Sequence, residues 1–180
     1  LINITVFYIF AILASRKLYN YIRKSYYQEK TLNKNNAELH ELNMKLNKNA
    51  NYDALTNLAN RHHFQNYVQK TINQSQSVTI FLLDIDYFKL YNDYYGHQKG
   101  DDVLRQVASA IQFVSDQHQL FAVRHGGEEF LVIGYNLSET LMQQIANEIN
   151  EAIQNLQLPH AKSETAPFVT ASLGFAHAQQ

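Results

Sequence analysis

The chain has 180 residues with 17% charged and 46% hydrophobic side chains, which fits one globular domain with an appendage and excludes a disordered or fibrous chain. A net charge of -1 removes the electrostatic basis for binding a nucleic-acid backbone, and the lack of Cys excludes disulfides, thiolate zinc sites and a cysteine nucleophile. The charge is unevenly spread: residues 1–50 carry eight basic and three acidic side chains, residues 51–180 seven basic and thirteen acidic.

Residues 1–14, LINITVFYIFAILA, are interrupted only by Asn3 and Thr5 and are followed by Arg16, Lys17, Arg23 and Lys24. At ~1.5 Å per residue, such a stretch falls short of ~30 Å of hydrocarbon. Because the chain does not begin with Met, the expectation is the end of a transmembrane helix with its basic flank on the cytoplasmic side. Residues 15–50 read as a helical linker. Leu18, Leu32, Leu39 and Leu46 share a seven-residue repeat, with Leu42 at the companion position, a polar-diluted heptad suited to pairing as a parallel dimer.

Beyond Tyr52, Asp53 or Thr56 is expected to cap a helix running to about Asn73. Val78 to Leu83 is apolar and β-branched, long enough for a buried strand. Leu104, Val107, Ala108 and Ile111 predict a helix behind Gly100 and Asp101. Phe121 to Val123 and Phe130 to Ile133 read as strands joined by a Gly126-Gly127 hairpin with positive φ at both glycines. Leu141, Ile145, Ile149 and Ile153 stripe another helix, and Phe168 to Phe175 returns to strand. Strands joined both by a hairpin and by helices imply an α+β fold, a palm-like and mainly antiparallel central sheet flanked by helices and preceded by the long N-terminal helix.

Two acidic clusters carry the chemistry. Asp84 and Asp86 end the first strand, and alternation sends both to one side with Ile85 opposite. His125-Gly126-Gly127-Glu128-Glu129-Phe130 places adjacent acids at a hairpin tip, where they repel unless a cation sits there. Magnesium, satisfied by carboxylate, carbonyl and phosphate oxygens, would remove that cost. If the hairpin lies beside the first strand, Asp84 and Glu128 converge. Tyr87, Phe88, Tyr91, Tyr94 and Tyr95 have the spacing of core packing, and Arg124 is placed to neutralise the nearby acids.

These blocks resemble the GGDEF domain family of diguanylate cyclases, in a GGEEF variant at residues 126–130. The supporting blocks are D-x-L-T-x-L-x-N-R from Asp53 to Arg61, D-I-D-x-F-K from Asp84 to Lys89 and N-D-x-x-G-H-x-x-G-D from Asn92 to Asp101. The resemblance covers roughly residues 51–176, with a domain expected over 51–180 that is truncated at its C-terminal end. It implies Mg²⁺, or Mn²⁺, held by Asp84, the carbonyl of Ile85 and Glu128. Glu129 matches a position associated with a second metal or with activating the attacking 3′-hydroxyl, and Lys89 a basic position near the phosphates. Asn92 and Asp101 match a guanine-reading pair, and the backbone amides around Tyr87 and Phe88 would hold the phosphate tail.

The implied reaction condenses two GTP into cyclic di-GMP with release of two pyrophosphates. It requires a homodimer, anchored through the N-terminal segment at the cytoplasmic membrane of a bacterium with the catalytic domain in the cytoplasm. A catalytically silent GGDEF domain that binds GTP or a protein partner is the competing reading. Two departures stand out. Gln117-His118-Gln119-Leu120 replaces the R-x-x-D product-inhibition motif, so feedback there is expected to be absent. The chain also ends at Gln180, before the Lys and Arg that usually follow the S-x-G-x-A strand, here Ser172 to Ala176.

Overall fold

The computed structural model describes residues 2–71 and 77–179, so the expected helix end near Asn73 lies outside the described residues. The chain divides into two units, Leu1–Asn47 and Lys48–Gln180. No Gly or Pro occurs before Gly96, and α1 runs unbroken over Ile2–Asn51. In the first unit its heptad leucines are solvent-exposed, Leu18, Leu32, Leu39 and Leu46 at 57–59%. Their neighbours on the helix form i,i+4 pairs such as Lys34–Glu38 and Glu41–Lys45. Among the described residues no helix is long and apolar enough to cross a membrane.

In the second unit, α2 (Arg61–Thr71) is capped by Asn60, whose Oδ1 accepts from His63 N at 2.9 Å. The expected caps are used elsewhere. Asp53 Oδ1 accepts from the amide and the hydroxyl of Thr56, which closes a turn ahead of the helix instead of opening it.

The remaining elements are β1 (Ser77–Ile85), α3 (Phe88–Tyr95), α4 (His97–Gln117), β2 (Phe121–Gly126), β3 (Glu129–Tyr135), α5 (Glu139–Gln154) and β4 (Ala171–Gln179). The strands form one antiparallel sheet in the order β2-β3-β1-β4, two interleaved βαβ units with β1 and β3 in the middle.

Alternation along β1 decides what each face holds. Phe81, Leu83 and Ile85 point into the main core with Val107, Ile111, Ile145 and Ile149 of α4 and α5. The opposite face carries Val78 and Ile80 beneath Ala59 and Phe64, then Leu82 and Asp84, which are exposed. The same period on β3 buries Phe130 and turns Glu129 away from the core.

Three boundaries differ from the sequence expectation. The helix carrying Leu104 begins at His97, so Gly100 and Asp101 lie inside it. The last strand begins at Ala171, because Phe168 is held in an isolated bridge to Pro159. In the hairpin, Gly126 pairs with Glu129, so the central pair is Gly127-Glu128 and of the two glycines only Gly127 takes positive φ, at 49°. A bulge between Arg124 and Gly126 absorbs the extra residue.

Candidate active site

Asp84 stands at the C-terminal end of the central strand, with Glu129 of β3 directly across from it and Ser172 of β4 on its other side. That register follows from burial: with Leu83 and Phe130 paired in the core, the next pair must face outward. Glu128 occupies the adjoining turn and is half-buried, while Glu129 is exposed. Partial burial at the sheet surface pushes the Asp84 carboxyl above its ordinary value, and Glu128, Glu129 and Asp86 push it the same way. Four carboxylates thus share one electrostatic neighbourhood, with the two expected metal carboxylates among them.

Asp86 has another occupation. Its two oxygens accept from Thr170 Oγ1 and Ser172 Oγ, each at 2.6 Å, and its N–H donates to the Thr170 carbonyl at 3.0 Å. It ties the end of β1 to the β4 side, so Asp84, Glu128 and Glu129 are the acids of the group without such a tie among the described contacts.

The residues fit a hard divalent cation in a limited way. Like-charged carboxylates gathered in one place are stabilised by a cation between them. No group of three or more His, Asp or Glu side chains among the described residues is placed to hold an ion. Two carboxylates and a carbonyl leave the remaining positions to water and phosphate, a division that suits magnesium.

The turn after β1 places Tyr87 at φ 55°, ψ 27°, in the left-handed region, as the residue before α3. The residue is 40% exposed, whereas Phe88 and Tyr91 are buried and stack on each other. The aromatic run is therefore divided: Phe88 and Tyr91 belong to the core, while Tyr87 and Tyr94 face solvent. Phe88 is the first residue of α3, where backbone N–H groups lack intrahelical acceptors, and Lys89 follows it, exposed.

Asn92, on the last turn of α3, is half-buried, and its Oδ1 is buried with no hydrogen-bond partner among the described residues. It lies against Gly100 of α4, where an added Cβ would come within 1.8 Å of that oxygen. The bare α-carbon is what admits the Asn92 amide. Asp101 follows on α4, half-buried. A buried amide oxygen left without a partner is a polar group with capacity for a ligand.

Arg124 does not neutralise the hairpin acids. Its Nη1 donates to Asp53 Oδ1 at 2.9 Å, and its Nε and Nη2 donate to the Gly127 carbonyl at 3.1 and 2.8 Å. The guanidinium clamps the hairpin tip to the turn that follows α1. Burial pushes the Asp53 carboxyl up, but hydrogen bonds from Thr56 and Arg124 outweigh it and leave the group below its usual value.

Comparison with known proteins agrees with this geometry. Residues 50–180 match the family described as "Diguanylate cyclase, GGDEF domain". The chain is 34% identical over 139 residues to the diguanylate cyclase VdcA of Vibrio cholerae, covering 77% of this chain and 41% of that protein. It is 36% identical over 129 residues to the cyclic di-GMP phosphodiesterase PdeR of Escherichia coli, covering 71% of this chain and 19% of PdeR. The chain thus spans less than half the length of these curated relatives. Among solved structures, the coiled coil and GGDEF domain of DgcB from Caulobacter crescentus, in complex with c-di-GMP, superposes with a TM-score of 0.71. That alignment has 32% identity and covers 84% of this chain and 83% of DgcB's. With its acidic hairpin beside the central strand and a family match over most of its length, the chain belongs to the GGDEF domain family of diguanylate cyclases.

Proposed function

We propose that this chain is the synthetic part of a diguanylate cyclase that joins two GTP into cyclic di-GMP. The observation that carries the reading is the pairing of Asp84 with Glu129, next to Glu128, where burial and then the neighbouring acids push the Asp84 carboxyl above its ordinary value. Asp84, Glu128 and the Ile85 carbonyl would hold the cation, Mg²⁺ or Mn²⁺. When bound, it supplies neutralisation of charge on the reacting phosphate and the departing pyrophosphate.

The chain's own groups do the remainder. Glu129 takes the proton from the attacking 3′-hydroxyl, or supports a second ion. The 3′-oxygen then bonds to the α-phosphorus of the opposing nucleotide, the α–β bridging bond breaks, and pyrophosphate leaves with the electron pair. The same exchange in the other direction closes the ring. Lys89 and the amides of Tyr87 and Phe88 hold the phosphate tail, which keeps the α-phosphate in line. Asn92 and Asp101 read guanine: Asp101 accepts from N1–H and the exocyclic amine, which adenine cannot offer in that pattern.

One domain of this kind presents one set of these residues, so two must face each other. The exposed heptad leucines of α1 support a parallel pair, and DgcB was solved with a coiled coil beside its GGDEF domain. The apolar residues 1–14 with a basic flank support attachment to the cytoplasmic face of a bacterial membrane. The match to PdeR, named a phosphodiesterase, supports a second reading in which the domain signals by binding GTP without cyclising it.

Incubation with GTP and Mg²⁺, with products resolved by mass, separates the two. The expected product is cyclic di-GMP from the wild-type protein and none from Glu128→Ala. Undiminished product in the variant refutes the cation assignment, and GTP bound but unconverted by the wild type favours the silent reading. Gly100→Ala tests the guanine pair, because the new methyl must displace Asn92. It is expected to cost about 2 kcal/mol of stability in thermal melts and to weaken GTP more than ATP.

A further inference from the structure

His160 lies in the irregular segment between α5 and β4, and it is 1% exposed. Its surroundings hold it in place from several sides. Its own N–H donates to the Pro167 carbonyl at 2.9 Å, Val169 N donates to the Leu158 carbonyl at 2.8 Å, and Ala161 N donates to the Tyr95 hydroxyl at 3.0 Å. The ring meets Tyr91 edge-on, with centroids 5.1 Å apart.

The ring makes one polar contact. Nε2 lies 3.3 Å from the carbonyl oxygen of Tyr87, while Nδ1 is buried with no partner among the described residues. A carbonyl only accepts, so the ring carries its proton on Nε2 and leaves a bare lone pair on Nδ1. A buried acceptor left unsatisfied costs stability, which an apolar side chain of the same shape would avoid. The cost is met only if the Nε2 bond does something an apolar residue cannot.

What the bond reaches is the peptide that opens α3. Tyr87 is a bulky residue with φ 55°, a strained conformation that persists only when its surroundings enforce it. In a planar trans peptide the C=O of Tyr87 and the N–H of Phe88 point in opposite directions. The Tyr87 oxygen accepts the first helical bond of α3, from Tyr91 N at 3.0 Å, and the buried imidazole adds a second donor at 3.3 Å; with the oxygen held from both sides the Phe88 N–H turns outward.

We infer that His160 is a positioning residue for the nucleotide's phosphate tail: as a second donor to the Tyr87 carbonyl, beside the Tyr91 amide, it locks the peptide whose Phe88 N–H meets the phosphates. This rests on the proposed GTP-binding function and adds to it a residue 73 positions downstream of the turn it controls.

The test uses the full chain with Mg²⁺ and compares affinity for GTP and GMP, which share the base but differ in the phosphate tail. His160→Phe keeps a ring against Tyr91 and removes the donor. It is expected to weaken GTP about tenfold and to leave GMP within about twofold. His160→Gln restores a donor and is expected to recover most of the GTP preference. Nitrogen-15 NMR of the wild-type ring supplies a reading that needs no variant, with the Nε2–H tautomer expected. Equal losses for both nucleotides, a GTP preference unchanged in folded His160→Phe, or an Nδ1–H ring would overturn the role of His160 alone. A wild-type chain that binds no GTP would instead overturn the function on which it rests.

Discussion

Asp84→Asn is expected to raise the melting temperature of the metal-free protein while lowering cyclic di-GMP formation about 100-fold or more. Asp84 and Glu129 are a like-charged pair directly across two neighbouring strands, an arrangement that destabilises a sheet by roughly 0.5 kcal/mol. The amide is nearly isosteric and removes the repulsion without opening a cavity. The pH dependence has a definite sign. Burial and the neighbouring acids raise the folded-state value of Asp84, so the native state holds this proton more tightly than the unfolded chain. Stability therefore falls as pH rises through the window between the ordinary Asp value and the raised one. Thermal melts across that window should show the decline in the wild type and a smaller one in Asp84→Asn. A variant less stable than wild type in the absence of divalent ions would mean that the acids are held by something other than mutual strain.

The second large effect is expected at Arg124. Its side chain is 13% exposed and its partner Asp53 26%, so removing the guanidinium strands a half-buried carboxylate and frees the Gly127 carbonyl together. Arg124→Met keeps the apolar stem and should cost about 2 kcal/mol, below the figure for a fully buried pair. Asp53 behaves oppositely to Asp84. Its folded-state value is lowered, so its contribution is present above the unfolded value and is lost as pH falls through the folded one. In Arg124→Met the acid limb of the stability profile should flatten. Cyclisation should also fall, by roughly tenfold or more, because the hairpin carrying Glu128 loses the side-chain clamp to Asp53 and keeps only backbone ties such as Arg124 N to the Ala59 carbonyl among those described. Chemical denaturation at several pH values, with product assays on the folded fraction, measures both. Stability lost with full activity kept would show that the clamp serves the fold and not the hairpin.

Much of this was readable from the chain because it depends on period and local chemistry. The run from Val78 to Leu83 is too short for a helix and alternates correctly through Asp84, and Gly127 marks the hairpin. Those two features suffice to bring Asp84 beside the acidic tip once β3 pairs with β1. Contacts between distant positions were not readable. Arg124 sits two residues before the paired glycines, so proximity in sequence suggests the hairpin acids, yet its carboxylate partner lies 71 positions earlier. Asp86 reads as a second site acid, although two hydroxyls from the β4 side occupy it. Asp53, Thr56 and Asn60 are all good capping residues, and only the chain's path selects Asn60. His160 belongs to a segment without regular period, where no sequence pattern reports burial.

The most direct measurement is paramagnetic broadening by substoichiometric Mn²⁺ in amide NMR spectra of the protein, with and without GTP. The account predicts broadening centred on Asp84, Ile85 and Glu128, sharpened by GTP and removed by excess Mg²⁺. Broadening centred elsewhere, or unchanged in Asp84→Asn, would contradict a cation shared by the end of β1 and the hairpin.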